Sequence, residues 1–211
     1  MTRVQCFVDG FNLYHAVLKL RKPHLKWFNL RELIGNFIDP NVHDLRDIYY
    51  FSAYAYWIPG AKERHEQFVW ANENYGVQAI MSQFKEKDRG CKDCGSRWVA
   101  HEEKETDVKI AVSLVRNAFK DEYDEAFLVS RDSDLTSAVA LVRHEFPEKA
   151  IKIISPPNAG HSKEMGKLVG SKKLASIKQL HLERSLMPRE VFDASGHVVA
   201  TRPTPYDTPT T

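Results

Sequence analysis

Apolar runs of strand length recur along this chain with helical patterns between them, and that alternation limits the fold more than any other feature. The runs are VQCFV (4–8), IYYFSAY (48–54), VQAIM (77–81), EAFLVS (125–130) and AIKIIS (150–155). Their short, nearly continuous apolar character suits strands covered on both faces. Helical patterns lie at 12–20, where Asn12 is the expected start, at 61–76 ending on Gly76, at 106–119 behind Thr106 as the expected N-cap, and at 134–146. In the third helix Val108, Ala111, Val112, Val115 and Phe119 share a face, expected to be the buried one. Strands alternating with helices predict an α/β fold, a Rossmannoid three-layer arrangement with a mainly parallel central sheet and helices on both faces.

Two segments stand outside this alternation. Residues 82–105 are polar, carry Cys91 and Cys94, and show no long helical period. After residue 187 come Pro188, Pro203, Pro205 and Pro209 among many threonines, so 188–211 is expected to be a Pro/Thr-rich tail, disordered or extended over the surface. The expected organisation is a domain over 1–187 with a CxxC-bearing insertion at about 84–104, followed by that tail.

Several classes drop out on composition. No apolar run approaches the ~18 residues of a membrane span, and MTRVQCFVDG lacks the layout of a signal peptide, so a cytoplasmic protein is expected. Three cysteines do not make a disulfide scaffold. A formal net charge of +2 does not by itself argue for a nucleic-acid partner.

In open α/β sheets, sites form at the carboxyl ends of the strands. Asp9 ends the first strand, with Asn12 one turn further on. Asp132 and Asp134 follow the strand at 125–130, and Asp107 opens the helix after the cysteine segment. Each has an ordinary explanation: Asp107, Ser133 and Asp134 fit first helical turns, and Asp9-Gly10 is a common turn pair. Capping does not require all of them at one sheet edge. Carboxylates brought together there repel one another unless they hold divalent cations, and an all-oxygen set suits Mg²⁺ or Mn²⁺. Such ions serve in-line attack on phosphodiesters. Phenylalanine at position 11 argues against an aspartyl phosphatase, and the glycine-rich motifs of dinucleotide-binding and P-loop proteins are absent.

FVDGFNLYHA, EEKETDVKIAVSL and FLVSRDSDLTSAVALV, in this order and spacing, resemble the NYN domain, a branch of the PIN-like nucleases. The resemblance covers about residues 3–155 and is nearest to bacterial members with a CxxC insertion. It implies a PIN-like sheet and a Mg²⁺- or Mn²⁺-dependent ribonuclease, with RNA, single-stranded or structured, as partner. By position, Asp9, Asp107, Asp132 and Asp134 are the expected metal-binding carboxylates and Asn12 their polar partner. Ser130, Arg131 and Ser133 are expected to contact substrate; Arg131 stands where many relatives have glycine. Glu105 is a further carboxylate without an assigned role. The alternative is a catalytically weak or inactive RNA-binding or protein-interaction module of the same fold.

GCKDCGSRW has half the ligand set of a structural zinc site in Cys91 and Cys94, with His101 as the nearest third ligand and a second chain, hence a homodimer, as a source of the rest. The other reading is a polar hairpin with two free thiols. Cys6 is expected to be a small buried side chain. Between 162 and 184 the cations Lys163, Lys167, Lys172, Lys173, Lys178 and Arg184 outnumber Glu164 and Glu183; they fit either an RNA track or a solvated helix face. Trp57 and Trp98 fit base stacking or simple packing.

Overall fold

Strand β1 (Thr2–Asp9) is buried without a break from Val4 to Asp9, as its apolar run requires, and this puts it in the middle of the sheet. The computed structural model describes residues 1–207. After β1 come α1 (Gly10–Lys19), α2 (Leu30–Gly35), β2 (His43–Ala53), α3 (Ala61–Asn74), β3 (Val77–Gly90), β4 (Arg97–Lys104) and α4 (Thr106–Phe119). The second half comprises β5 (Glu125–Val129), α5 (Thr136–Glu145), β6 (Ala150–Ser155), α6 (Lys163–Val169), β7 (Leu174–Ser176), α7 (Gln179–Arg184), β8 (Glu190–Phe192) and β9 (Val198–Thr201). The large sheet runs β4-β3-β2-β1-β5-β6-β7. Its pairs are parallel except β3 with β4. This is the expected α/β architecture.

Alternation along the central strands builds two cores. Val4, Cys6 and Val8 of β1 join Phe127 and Val129 of β5 beneath Leu13, Val17 and Phe68 of α1 and α3. Phe7, Ala126 and Leu128 point the other way, against Ile110 and Leu114 of α4 and Val139 and Val142 of α5. Asp9 continues the alternation of Phe7 and so ends β1 on the α4 side.

The buried stripe of α4 is not the expected one. Ile110, Leu114 and Ala118 are buried, whereas Val108, Val112 and Phe119 are more than half exposed. Both stripes have helical spacing, so periodicity alone could not choose. The buried stripe is the one that packs in the same cluster as Phe7 and Leu128.

Two further expectations change. The polar segment 84–104 is a long antiparallel arm, paired from Gln83↔Lys104 out to Gly90↔Arg97. The segment expected to be a disordered or surface-extended tail instead folds through residue 207, while 208–211 lie outside the described residues. Strands β8 and β9 pair antiparallel, and Val191, Ala200 and Tyr206 are buried in the first core. The fully buried Trp27 donates its Nε1–H to the Pro188 carbonyl at 2.7 Å. Pro188 and Pro203 flank the hairpin rather than interrupt it, a position in which proline costs no ladder hydrogen bond.

Asp9-Gly10 is not a turn; Gly10 is the first residue of α1. A Cβ there would lie 2.6 Å from the Phe51 carbonyl oxygen and 2.7 Å from the Tyr50 ring. Gly10→Ala is therefore expected to destabilise the protein by ~1–3 kcal/mol, the usual range for overpacking, and to displace Asp9. Urea unfolding checks this, and an unchanged midpoint would mean that β2 yields freely.

Candidate metal centre

After β1 the chain builds the sheet to one side, and from β5 onward to the other, so β1 and β5 flank the switch point where open α/β sheets form a crevice. Asp9 stands on this crest as the N-cap of α1, its Oδ1 accepting the Asn12 N–H at 2.9 Å. Its Oδ2 accepts the Ser130 hydroxyl at 2.8 Å, and Ser130 Oγ in turn accepts the Asp132 N–H at 3.0 Å. Asn12, expected to start the helix, instead accepts the Arg131 N–H on its side-chain oxygen at 3.3 Å. The end of β1 is thus tied to the loop after β5 by Ser130 and Asn12.

Asp107 arrives from the arm. Glu105 takes a left-handed conformation, φ 77°, which turns β4 sharply into α4. Thr106 is the first helical residue rather than the cap, and donates its N–H to Glu103 at 3.0 Å and its hydroxyl to the same carboxylate. Asp107 then sits in the first turn of the helix, facing the crest.

Carboxylate oxygens of Asp9, Asp107 and Asp132 lie within 4.8 Å of one another. Two full charges at that distance repel by about 3–4 kcal/mol at an effective dielectric near 20. Burial pushes the Asp9 carboxyl up to about 6, with Asp107 and Asp132 adding to the shift against its two hydrogen bonds. Asp107 is also raised, first by burial and then by Asp132, Glu103 and Asp134; every charge acting on it is negative. An uncompensated, all-oxygen group of this kind fits a hard divalent cation such as Mg²⁺ or Mn²⁺.

Asp134 does not join these three. It is exposed, and donates its N–H to Asp132 Oδ1 at 3.0 Å, although its charge still reaches Asp107. The exposed Ser133 starts a 3-10 turn, Ser133–Leu135. Ser130 is fully buried, so it orients Asp9 and Asp132 from below, while Arg131 is exposed at the cleft wall. Glu103 was not singled out in the sequence, yet it lines the cleft, whereas Glu105 does not. The left-handed turn at Glu105, just past the end of β4, separates the two.

The three carboxylates line a cleft of about 810 Å³ together with Phe11, Phe84, Trp57, Lys26, Arg64 and Tyr206. The NYN domain family matches residues 3–165. The chain belongs to the NYN domain family. NYN domains are generally ribonuclease-like and generally act on RNA. A solved Vibrio parahaemolyticus protein of unknown function shares the fold, with a TM-score of 0.60 at 14% identity over 88% of this chain and 96% of that one. No curated protein matches the chain in sequence. Among the described residues no helix is long and apolar enough to cross a membrane.

The family match carries no information on the cysteine pair of this NYN protein. Cys91 and Cys94 sit at the tip of the arm, where Gly95 takes φ 70° and donates its N–H to the Cys91 carbonyl at 3.0 Å. Both thiols are free, and hydrogen bonding with Ser96 lowers the pKa of Cys94 to about 7. His101 is not a third zinc ligand. It pairs with Glu86 four ladder positions from the tip, ~13 Å away at about 3.3 Å per residue. Its ring stacks on Trp57 with centroids 3.8 Å apart. A second chain that would complete a zinc site, and with it a homodimer, finds no support among the described residues. Cys6 is buried, and burial raises its thiol. Of the cations of 162–184, Lys163 and Lys167 lie in α6, Lys172 and Lys173 in the 3-10 turn Ser171–Lys173, Lys178 just before α7 and Arg184 in α7; none lines the cleft, and Lys173 is taken up by Glu125 at 2.8 Å.

Proposed function

We propose that this NYN protein is a metal-dependent ribonuclease that hydrolyses RNA phosphodiester bonds at the Asp9–Asp107–Asp132 group, leaving a 5′-phosphate and a 3′-hydroxyl. The observation that carries this reading is the convergence of three carboxylates from β1, α4 and the loop after β5, with no cation acting on Asp107 to balance them. When bound there, Mg²⁺ or Mn²⁺ lowers the pKa of an attacking water and neutralises charge developing on the phosphate.

The chain's own residues do the positioning. Ser130 and the Asn12 N–H hold both oxygens of Asp9, and Asn12 also fixes the backbone of Arg131. The exposed Arg131 can then contact a phosphate oxygen, an arginine geometry well matched to that group. The exposed Asp134, next to this group through its N–H bond to Asp132, would accept a hydrogen bond from water at the reacting phosphate. Asp107 and Glu103 keep the arm side of the cleft negative, a charge that a bound cation would offset beside the reacting phosphate.

Incubation of single-stranded and structured RNAs, and of DNA, with Mg²⁺, Mn²⁺ or EDTA tests the reading. RNA cleavage dependent on Mg²⁺ or Mn²⁺ is expected, together with a rise in melting temperature on adding Mn²⁺ that Asp107→Asn diminishes. No metal-dependent product from any substrate would favour a non-catalytic RNA- or protein-binding module.

A further inference from the structure

The cleft holds opposite, separate charges. Lys26 lies with its ammonium 5.3 Å from the Tyr14 ring centre and 5.4 Å from that of Tyr206. Its ordinary pKa is lowered first by burial and then by Arg64, with no carboxylate among the groups acting on it. Arg64 lines the same cleft and is partly buried like Lys26, and two neighbouring cations in such a place cost free energy that an anion between them would recover. The neighbouring His65 adds no charge, because burial lowers it to about 4 and it shares a hydrogen bond with the Tyr50 hydroxyl at 3.0 Å.

Aromatic rings line the same cleft. Phe11, two residues beyond Asp9, meets Phe84 edge to face at 5.4 Å, and Phe84 meets Trp57 at 4.4 Å. Unstacked bases find partners on such walls, whereas a duplex keeps its bases inside. We propose that Lys26 and Arg64 form a phosphate subsite, apart from the carboxylates, that holds a phosphodiester of a single RNA strand laid along the cleft over the Phe11–Phe84–Trp57 wall. The ligand's identity as RNA rests on the ribonuclease reading; the phosphate subsite rests on the cleft itself.

The test is binding, not cleavage. A fluorescein-labelled single-stranded oligouridine is titrated in EDTA, by fluorescence anisotropy, over a range of salt. Lys26→Ala/Arg64→Ala is expected to weaken binding about 10-fold or more and to flatten the salt slope by about 1, as loss of one or two strand phosphates would. Lys26→Arg/Arg64→Lys, which keeps both charges, is expected to bind within about 3-fold of wild type. Single Lys26→Gln and Arg64→Gln variants keep side-chain length and serve if the alanine pair melts early; each is expected to show part of the loss. Oligomers with a 5′-hydroxyl and a 5′-phosphate should bind alike, since the subsite takes an internal phosphodiester. Wild-type affinity in the alanine and glutamine variants, no binding by wild type, a requirement for the 5′-phosphate, or equal binding of a blunt duplex would each overturn the proposal. Failure of the cleavage assay alone would fail the nuclease reading and leave this binding result standing.

Discussion

Replacing Asp132 by asparagine is expected to reduce metal-dependent RNA cleavage by about 10³-fold or more while leaving the fold intact. The side chain has two jobs that separate cleanly. Its Oδ1 accepts the Asp134 N–H at 3.0 Å and so starts the 3-10 turn before α5, a bond that an asparagine oxygen also makes. Its charge faces Asp9 and Asp107, and this is what the substitution removes. The backbone N–H of residue 132 keeps its bond to Ser130 in either case. The variant should therefore unfold in EDTA at a urea concentration no lower than wild type, since one repelling charge is gone, yet gain less stability from Mn²⁺. A drop in kcat with Mn²⁺ affinity unchanged would point to a role on water rather than on the ion. Full activity would remove Asp132 from the site.

What could be seen in the sequence follows from burial. The strands around Asp9 and Asp132 were legible because central parallel strands are covered on both faces and read as continuous apolar runs. The arm was not, because it leaves the body. Along β3 the outer residues Glu86, Lys87, Asp88 and Arg89 are exposed on both faces, so neither a core stripe nor an alternation survives there. With β4 and the turn at its end unseen, the placement of Glu103 in the cleft and Glu105 outside it could not be read. Asp107 was legible through the family motif and the helix start, but its approach to Asp9 depends on the left-handed turn at Glu105, which no composition rule for that residue suggests. Lys26 and Arg64 carry no local signal, since one precedes Trp27 near the end of a short turn and the other lies mid-helix in α3. The conspicuous lysines of 162–184 were the ones that did not reach the cleft. The C-terminal hairpin was hidden for a related reason: its contribution to the core is only a few side chains, Val191, Ala200 and Tyr206, set among prolines and threonines.

Asp9→Asn is expected to make the metal-free protein more stable at neutral pH, by roughly 3 kcal/mol. The folded protein holds the Asp9 carboxyl at about 6 against an ordinary 3.8, chiefly through burial. A carboxyl raised in this way favours the folded state while it is protonated. That contribution is fully present below 3.8, is lost as pH rises from 3.8 through about 6, and above that stays as a constant cost of keeping a buried carboxylate. A shift of roughly two pKa units corresponds to about 3 kcal/mol. Asparagine removes the charge, caps α1 as well as aspartate does, and can donate to Ser130 where aspartate accepted. Urea unfolding in EDTA between pH 4 and 8 should accordingly show wild type falling through the ~4–6 window relative to the variant. Saturating Mn²⁺ should reverse the order, because the ion binds the folded wild type and stabilises it in proportion to its affinity, while the variant has lost a ligand. Parallel curves for the two proteins in EDTA would show that Asp9 is not charged against its surroundings, and with that the electrostatic argument for a cation at this crest would fail.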